Sequence, residues 1–163
     1  MKRQLRTLFF SAATVLVTAP LMADAPDTQY QAFDRDATEI RDNFTKLAWQ
    51  RDRLGLENRT KRTFATAESR CPSVFGGGRL PTVKELLTIV DEQPHREYEF
   101  GQNVEKAIDG LGGRAFASST YVDAPYWSST PTEGTDEVWG VSFADGTMVR
   151  LKKTDQAYAR CVK

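Results

Sequence analysis

Histidine is almost missing from this chain. Of 163 residues only His95 is a histidine, and only Cys71 and Cys161 are cysteines. A serine-hydrolase triad or a histidine-rich zinc site would have to be assembled around that one imidazole. It follows Pro94 in a charged stretch, where a solvated loop residue is the expectation. No His-Glu-x-x-His or Gly-x-Ser-x-Gly pattern is present, and the Gly76-Gly77-Gly78 run lacks the Gly-Lys-Ser/Thr ending of a phosphate loop. An excess of one charge is missing too. With 22 basic and 22 acidic side chains, the chain has no basic footprint for nucleic acid. Beyond the first residues, no apolar run approaches the ~20 residues of a membrane span. No internal repeat and no Asp-x-Asn/Asp-x-Asn/Asp-Gly loop occurs. Acids are plentiful but scattered, so neither the paired carboxylates of a glycosidase nor a calcium site from Asp123, Glu133, Asp136 and Asp145 is indicated.

The chain begins with a basic segment, Lys2, Arg3 and Arg6, followed by an apolar run over residues 8–21 and small residues at Ala23 and Ala25. This is the layout of a secretory signal peptide, with cleavage expected after Ala23; an uncleaved anchor is the alternative. Export places the product in the periplasm or outside the cell. Losing residues 1–23 removes three bases and no acid, which leaves 19 basic against 22 acidic groups, a net −3. What remains is long enough for one domain with its own core. An even cysteine count in an exported chain favours a disulfide over two buried thiols, and cysteines so locked serve neither as nucleophile nor as metal ligand.

Residues 24–43 are polar and read as a leader, and the domain is expected over 44–163. Phe44, Leu47 and Trp49 mark a first strand over 43–50, followed by a charged loop over 50–60. Phe64, Ala67 and Cys71 share one helical face, which predicts a helix over 61–73, started by Thr63 and stopped by Pro72 and the glycines. Thr82 with Glu85 forms a capping box that starts a second helix from Val83 to Val90. Val104, Ala107, Ile108 and Leu111 have helical spacing and predict a short helix within 97–111. Strands follow over 116–121, 126–130, 138–143, 147–151 and 158–162, with Asp145-Gly146 as a hairpin turn. The expected class is α+β: two main helices packed on short antiparallel strands, the termini close together.

Several residues divide between scaffold and ligand. Arg79, before Leu80-Pro81, is placed to clamp a carboxylate or carbonyls inside the fold, or to meet a ligand. Tyr121, Tyr126, Trp127 and Trp139 are the candidate ligand-binding aromatics, since a partly exposed ring stacks on a sugar face; a buried strand core is the alternative for the tryptophans. Ser128, Ser129 and Thr130 can bond sugar hydroxyls or the neighbouring backbone.

Leu47-Ala48-Trp49-Gln50, residues 67–71, Arg79-Leu80-Pro81-Thr82-Val83-Lys84-Glu85-Leu86, Tyr126-Trp127-Ser128-Ser129-Thr130, Trp139 to Phe143 with Asp145-Gly146, and Arg160-Cys161-Val162 resemble, in this order, the C-terminal domain of the Legionella collagen-like protein. The resemblance covers about residues 44–163. It implies a C-type-lectin-like fold related to that of formylglycine-generating enzymes, an exported protein, structural roles for Arg79, Leu80, Pro81, Glu85, Trp127, Ser128 and Ser129, and family-typical positions for Cys71 and Cys161. The named member is an adhesin for sulfated glycosaminoglycans; this chain has no collagen-like repeats, and its near-neutral charge does not favour a polysulfated ligand. The Glu-Pro-Asn and Trp-Asn-Asp calcium motifs of true C-type lectins are absent. The function expected is an exported, non-catalytic binding module for a glycan or protein of the bacterial envelope. It would use a loop surface between Gly110 and Glu137, without cofactor or metal. The alternatives are an enzyme on the formylglycine-generating-enzyme scaffold, or a structural partner with an exposed apolar patch.

Overall fold

The computed structural model describes residues 28–31, 38–51, 60–91, 95–99, 102–106, 116 and 120–163. The expected signal peptide lies outside the described residues, as does most of the expected loop after Gln50.

The first sheet has three antiparallel strands, β1 (Tyr30–Gln31), β2 (Glu39–Asp42) and β3 (Ala48–Gln50). Two of these strands fall within the stretch read as a leader. Ile40 pairs with Trp49 across β2 and β3, and both are fully buried. The strand expected over 43–50 is confined to Ala48–Gln50 because Asp42 ties up what precedes it. Its carboxylate accepts the N–H groups of Phe44 at 2.8 Å and Thr45 at 3.2 Å and the Thr45 hydroxyl at 2.7 Å. That is an aspartate turn competing with extended chain.

Helix α1 (Phe64–Val74) buries Phe64, Ala67 and Cys71. Thr63 sits at the N-cap, but its hydroxyl meets Thr66 Oγ1 at 3.0 Å rather than a backbone N–H. Pro72 lies inside the last turn instead of ending it. The chain leaves through Gly76 and Gly77, at φ 49° and 83°, a region glycine enters without a Cβ clash. Cys71 is bonded to Cys161, with Cα atoms 5.5 Å apart and a sequence separation of 90.

The second helix is shorter than its pattern suggested. Helix α2 (Val83–Leu87) has five residues. The N–H groups of Thr88, Ile89 and Val90 bond back three residues rather than four, which tightens the chain out of the α-helix. Two main helices are therefore not observed; among the described residues there is one helix of three turns and one of a single turn.

The helix expected within 97–111 is also corrected. β4 (His95–Glu99) and β5 (Gln102–Lys106) form an antiparallel hairpin, with Glu97 opposite Val104. His95 thus begins a strand rather than sitting in an exposed turn. Over 102–106 only Val104 is apolar, so the helical stripe had one member there and cross-strand pairing prevails; Ala107, Ile108 and Leu111 lie outside the described residues.

A third sheet runs β6 (Tyr126–Pro131), β7 (Glu137–Val141), β8 (Met148–Lys152), all antiparallel. Asp145-Gly146 turns the chain between β7 and β8, with Gly146 at φ 74°. Phe116, Thr120 and Tyr121 lie in no strand. The expected closing strand over 158–162 is likewise absent as a ladder. Its neighbours differ residue by residue: Ala157 bridges Arg62, Tyr158 bridges Tyr126, and Val162 bridges both Trp49 and Arg79. The C-terminal end is thus laced between β3 and the Arg79 segment, with Ala48 and Lys163 exchanging backbone hydrogen bonds of 2.7 and 2.9 Å.

Among the described residues two apolar clusters form the core. One gathers Trp49, Leu86, Ile89, Phe116, Tyr126, Val141 and Phe143; the other surrounds the disulfide with Phe64, Leu80, Trp127, Val138 and Leu151. The β6–β8 sheet contributes to both. The class is mixed α+β, mostly β, and among the described residues no helix is long and apolar enough to cross a membrane.

Candidate functional site

The two most distinctive motifs of the sequence meet in space. Arg79 grips Glu85 through two hydrogen bonds, Nη1 to Oε2 at 2.8 Å and Nη2 to Oε1 at 2.7 Å. Glu85 Oε2 also accepts the Thr82 N–H at 2.7 Å, while Thr82 Oγ1 accepts the Glu85 N–H at 3.2 Å, so the capping box is complete. The hydrogen bonds from Arg79 hold the Glu85 carboxyl at about 2, well below its ordinary value, against the opposing pull of burial. From the other side, the Ser129 N–H donates to the Pro81 carbonyl at 2.7 Å, and the Thr130 hydroxyl accepts the Val83 N–H at 2.9 Å. Ser128 is fully buried and donates its hydroxyl to the Trp139 carbonyl at 2.6 Å. These polar groups are spent inside the fold, on backbone and on one another.

The four candidate aromatics separate. Trp127 is fully buried, donates Nε1–H to the Arg62 carbonyl at 2.7 Å, and meets Phe64 edge to face. Tyr126 is also fully buried, its hydroxyl accepting the Tyr121 N–H at 2.9 Å, and burial pushes its phenol up to about 12. Neither ring presents a face at this surface. Tyr121 and Trp139 are half-buried. They stand apart: Tyr121 packs on Tyr158 with ring centres 5.6 Å apart, and Trp139 carries the Arg150 guanidinium 5.7 Å above its ring.

Around Tyr121 the chain brings together residues that sequence spacing did not connect. Tyr158 donates its hydroxyl to Asp123 Oδ1 at 2.8 Å, and Lys61 Nζ reaches Asp123 Oδ2 at 2.7 Å while lying 5.5 Å over the Tyr158 ring. Asp123 remains 63% exposed at its side chain. Burial would raise its carboxyl, but hydrogen bonds from Lys61 and Tyr158 outweigh that and keep it below the ordinary range. Burial first, then the bond to Asp123, raises the Tyr158 phenol, so it stays a protonated donor. The result is an ionised carboxylate with lone pairs left over, an adjacent ammonium and a half-buried aromatic ring. A carboxylate has about four acceptor positions, and such a group next to a ring can hold a hydroxyl-rich ligand by hydrogen bonds and stacking.

Arg160 supports this rim from beneath. It is fully buried, donates to Thr120 Oγ1 at 2.6 Å and to the Gln50 carbonyl at 3.0 Å, and lies 5.2 Å over the Phe116 ring. It fixes the start of the Tyr121 loop to the end of β3. Asp123 falls within the loop surface expected between Gly110 and Glu137, of which residues 110–115 and 117–119 lie outside the described residues; no local pattern in the sequence joined it to Lys61, Tyr158 or Arg160.

Three of the four acids considered for calcium have separate partners. Asp123 meets Lys61, Asp136 meets Lys153 at 2.8 Å, and Asp145 accepts the Thr147 hydroxyl at 2.8 Å. Among the described residues no group of three His, Cys, Asp or Glu could hold a metal ion. A shallow open cleft beside the disulfide is lined by Gln50, Arg62, Arg70 and Val74.

A search of curated proteins finds no match. A family model does match, described as the Lcl C-terminal domain, over residues 38–163. Its span takes in the capping box, both cysteines and the whole Tyr121 rim, and on that extent the chain belongs to the Lcl C-terminal domain family.

Proposed function

We propose that this protein is an exported, non-catalytic binding module on a C-type-lectin-like scaffold, and that it takes a glycan of the bacterial envelope at the Tyr121–Asp123–Lys61–Tyr158 rim. The observation that carries this is the exposed, ionised Asp123 carboxylate held between an ammonium and a tyrosine hydroxyl beside the half-buried Tyr121 ring. The family match supports a secreted binding domain. A base needs a carboxyl poised near the working pH; Asp123 is held below its ordinary range and Tyr158 above its own, which favours recognition over proton transfer.

The test is binding of the mature protein to a panel of envelope glycans, alongside Asp123→Asn and Tyr121→Ala. Loss of a charge-assisted hydrogen bond of about 1.5–3 kcal/mol predicts roughly ten- to hundred-fold weaker binding for Asp123→Asn. Retention of no glycan, or equal retention by both variants, overturns the reading.

A further inference from the structure

We propose that the outer edge of β8 docks an extended polypeptide segment that carries a carboxylate opposite Arg150. β8 is the last strand of its sheet. Its pairing with β7 runs Val138 to Leu151, Trp139 to Arg150, Gly140 to Val149 and Val141 to Met148, and Ser142 donates to the Thr147 carbonyl at 2.8 Å one step further on. In an antiparallel ladder, hydrogen-bonded pairs alternate with pairs whose main-chain groups face away. Counting from Ser142–Thr147, the N–H and C=O groups of Met148 and Arg150 face outward. The next outward position, Lys152, is closed: its N–H goes to Asp155 Oδ2 at 2.9 Å and its carbonyl accepts the Asp155 N–H at 2.8 Å. Lys153 likewise gives its carbonyl to the Phe64 N–H at 3.2 Å. Among the described residues no strand lies on the Met148–Arg150 edge.

The side chains select what can sit there. Met148, Arg150 and Lys152 line one face of β8 and are all exposed, Met148 by 50%. Charged edges of this kind disfavour pairing with a second copy. The Arg150 guanidinium carbon lies 5.7 Å over the Trp139 ring centre, and the five N–H donors of a guanidinium fork match a carboxylate. On the opposite face Val149 is half-buried, so an apolar residue next to the carboxylate in the incoming strand would cover it. An alternating acidic and apolar peptide satisfies both faces and supplies the main-chain ladder, as in strand addition to a sheet edge.

The experiment uses the mature protein and a fluorescent Glu-Val octapeptide, read by anisotropy. A copy of the peptide N-methylated at alternate residues, and heparin, serve as comparisons. Expected are saturable binding, at least about tenfold weakening with the N-methylated peptide, and a similar loss with Arg150→Gln and with Met148→Pro, an edge substitution that removes an outward N–H and no ladder bond. If Met148→Pro does not fold, the N-methylated peptide decides alone. Equal binding of plain and N-methylated peptide, or displacement by heparin with equal strength, means a polyanion surface and overturns the proposal, as does no binding at millimolar peptide. Asp123→Asn leaves the peptide arm unchanged, so its failure is separate from that of the glycan reading.

Discussion

Arg79 and Glu85 are locked by two hydrogen bonds of 2.8 and 2.7 Å across the start of α2. The same carboxylate caps the helix by accepting the Thr82 N–H at 2.7 Å. One side chain thus satisfies an orphan donor of the helix start, places a negative charge at the positive end of its dipole, and orients Arg79, whose backbone bridges Val162 in the C-terminal tail. A five-residue helix has too little intrinsic stability to stand alone, so this cap matters more here than in a long helix.

Glu85→Ala should therefore destabilise the protein by about 1–3 kcal/mol, combining a lost cap with a lost ion pair that is half exposed on its arginine side. Glu85→Gln should cost less, since an amide oxygen still accepts the Thr82 N–H. Urea unfolding of the three proteins, at equal m-values, checks the order.

The same carboxyl predicts an acid limb. Its folded value is about 2 against an ordinary 4.5. A depressed carboxyl contributes stability that is complete above the unfolded value and is lost as pH falls from there toward the folded one. Stability should thus decline between about pH 4.5 and 2, and Glu85→Gln should flatten that limb. A Gln variant as steep as wild type in acid unfolding would place the loss elsewhere.

Removing the Cys71–Cys161 bond as a double serine variant should lower stability by about 4–5 kcal/mol in the loop-closure model, because it spans 90 positions. Chemical unfolding of the oxidised protein and the double variant gives the difference directly. Since the bond fastens the tail to α1, the amide protons of residues 157–163 should lose hydrogen-exchange protection before those of β6 and β7.

Gly140→Ala should destabilise by about 1–3 kcal/mol through overpacking. A Cβ there would lie 2.6 Å from Leu151 Cδ1 and 2.7 Å from the Tyr126 carbonyl oxygen, and the latter is backbone that cannot step aside. Thermal unfolding should show the loss; a melting temperature equal to wild type would mean that β6 and β7 separate more easily than their packing implies.

Features written into short windows were legible in advance. Thr82 and Glu85 stand three residues apart, Asp145-Gly146 separates two alternating runs, and Phe64, Ala67 and Cys71 repeat at helical spacing; each appears where expected. Even there, length escaped. Asp42 claimed the residues before Ala48 for a turn, and three-residue hydrogen bonds ended α2 early. At 95–106 the window itself misled, because a helical stripe and a hairpin strand share Val104 and cross-strand pairing is invisible locally.

The candidate site was less legible still. Tyr121 was singled out, but so were Tyr126 and Trp127, and only burial separates a partly covered ring from one sealed in the core. Lys61, Asp123 and Tyr158 carry no mark in the sequence that joins them; the contact spans 35 positions from Asp123 to Tyr158. Composition, caps, turn residues and the cysteine pair are properties of neighbours along the chain, and the sequence by itself determined these, together with the family they point to. Which rings are covered, which carboxylate stays in water and which strand edge is left open depend on what distant segments bury, and that was decided only when the tail threaded between β3 and Arg79 and brought Tyr158 and Arg160 beneath the Tyr121 loop.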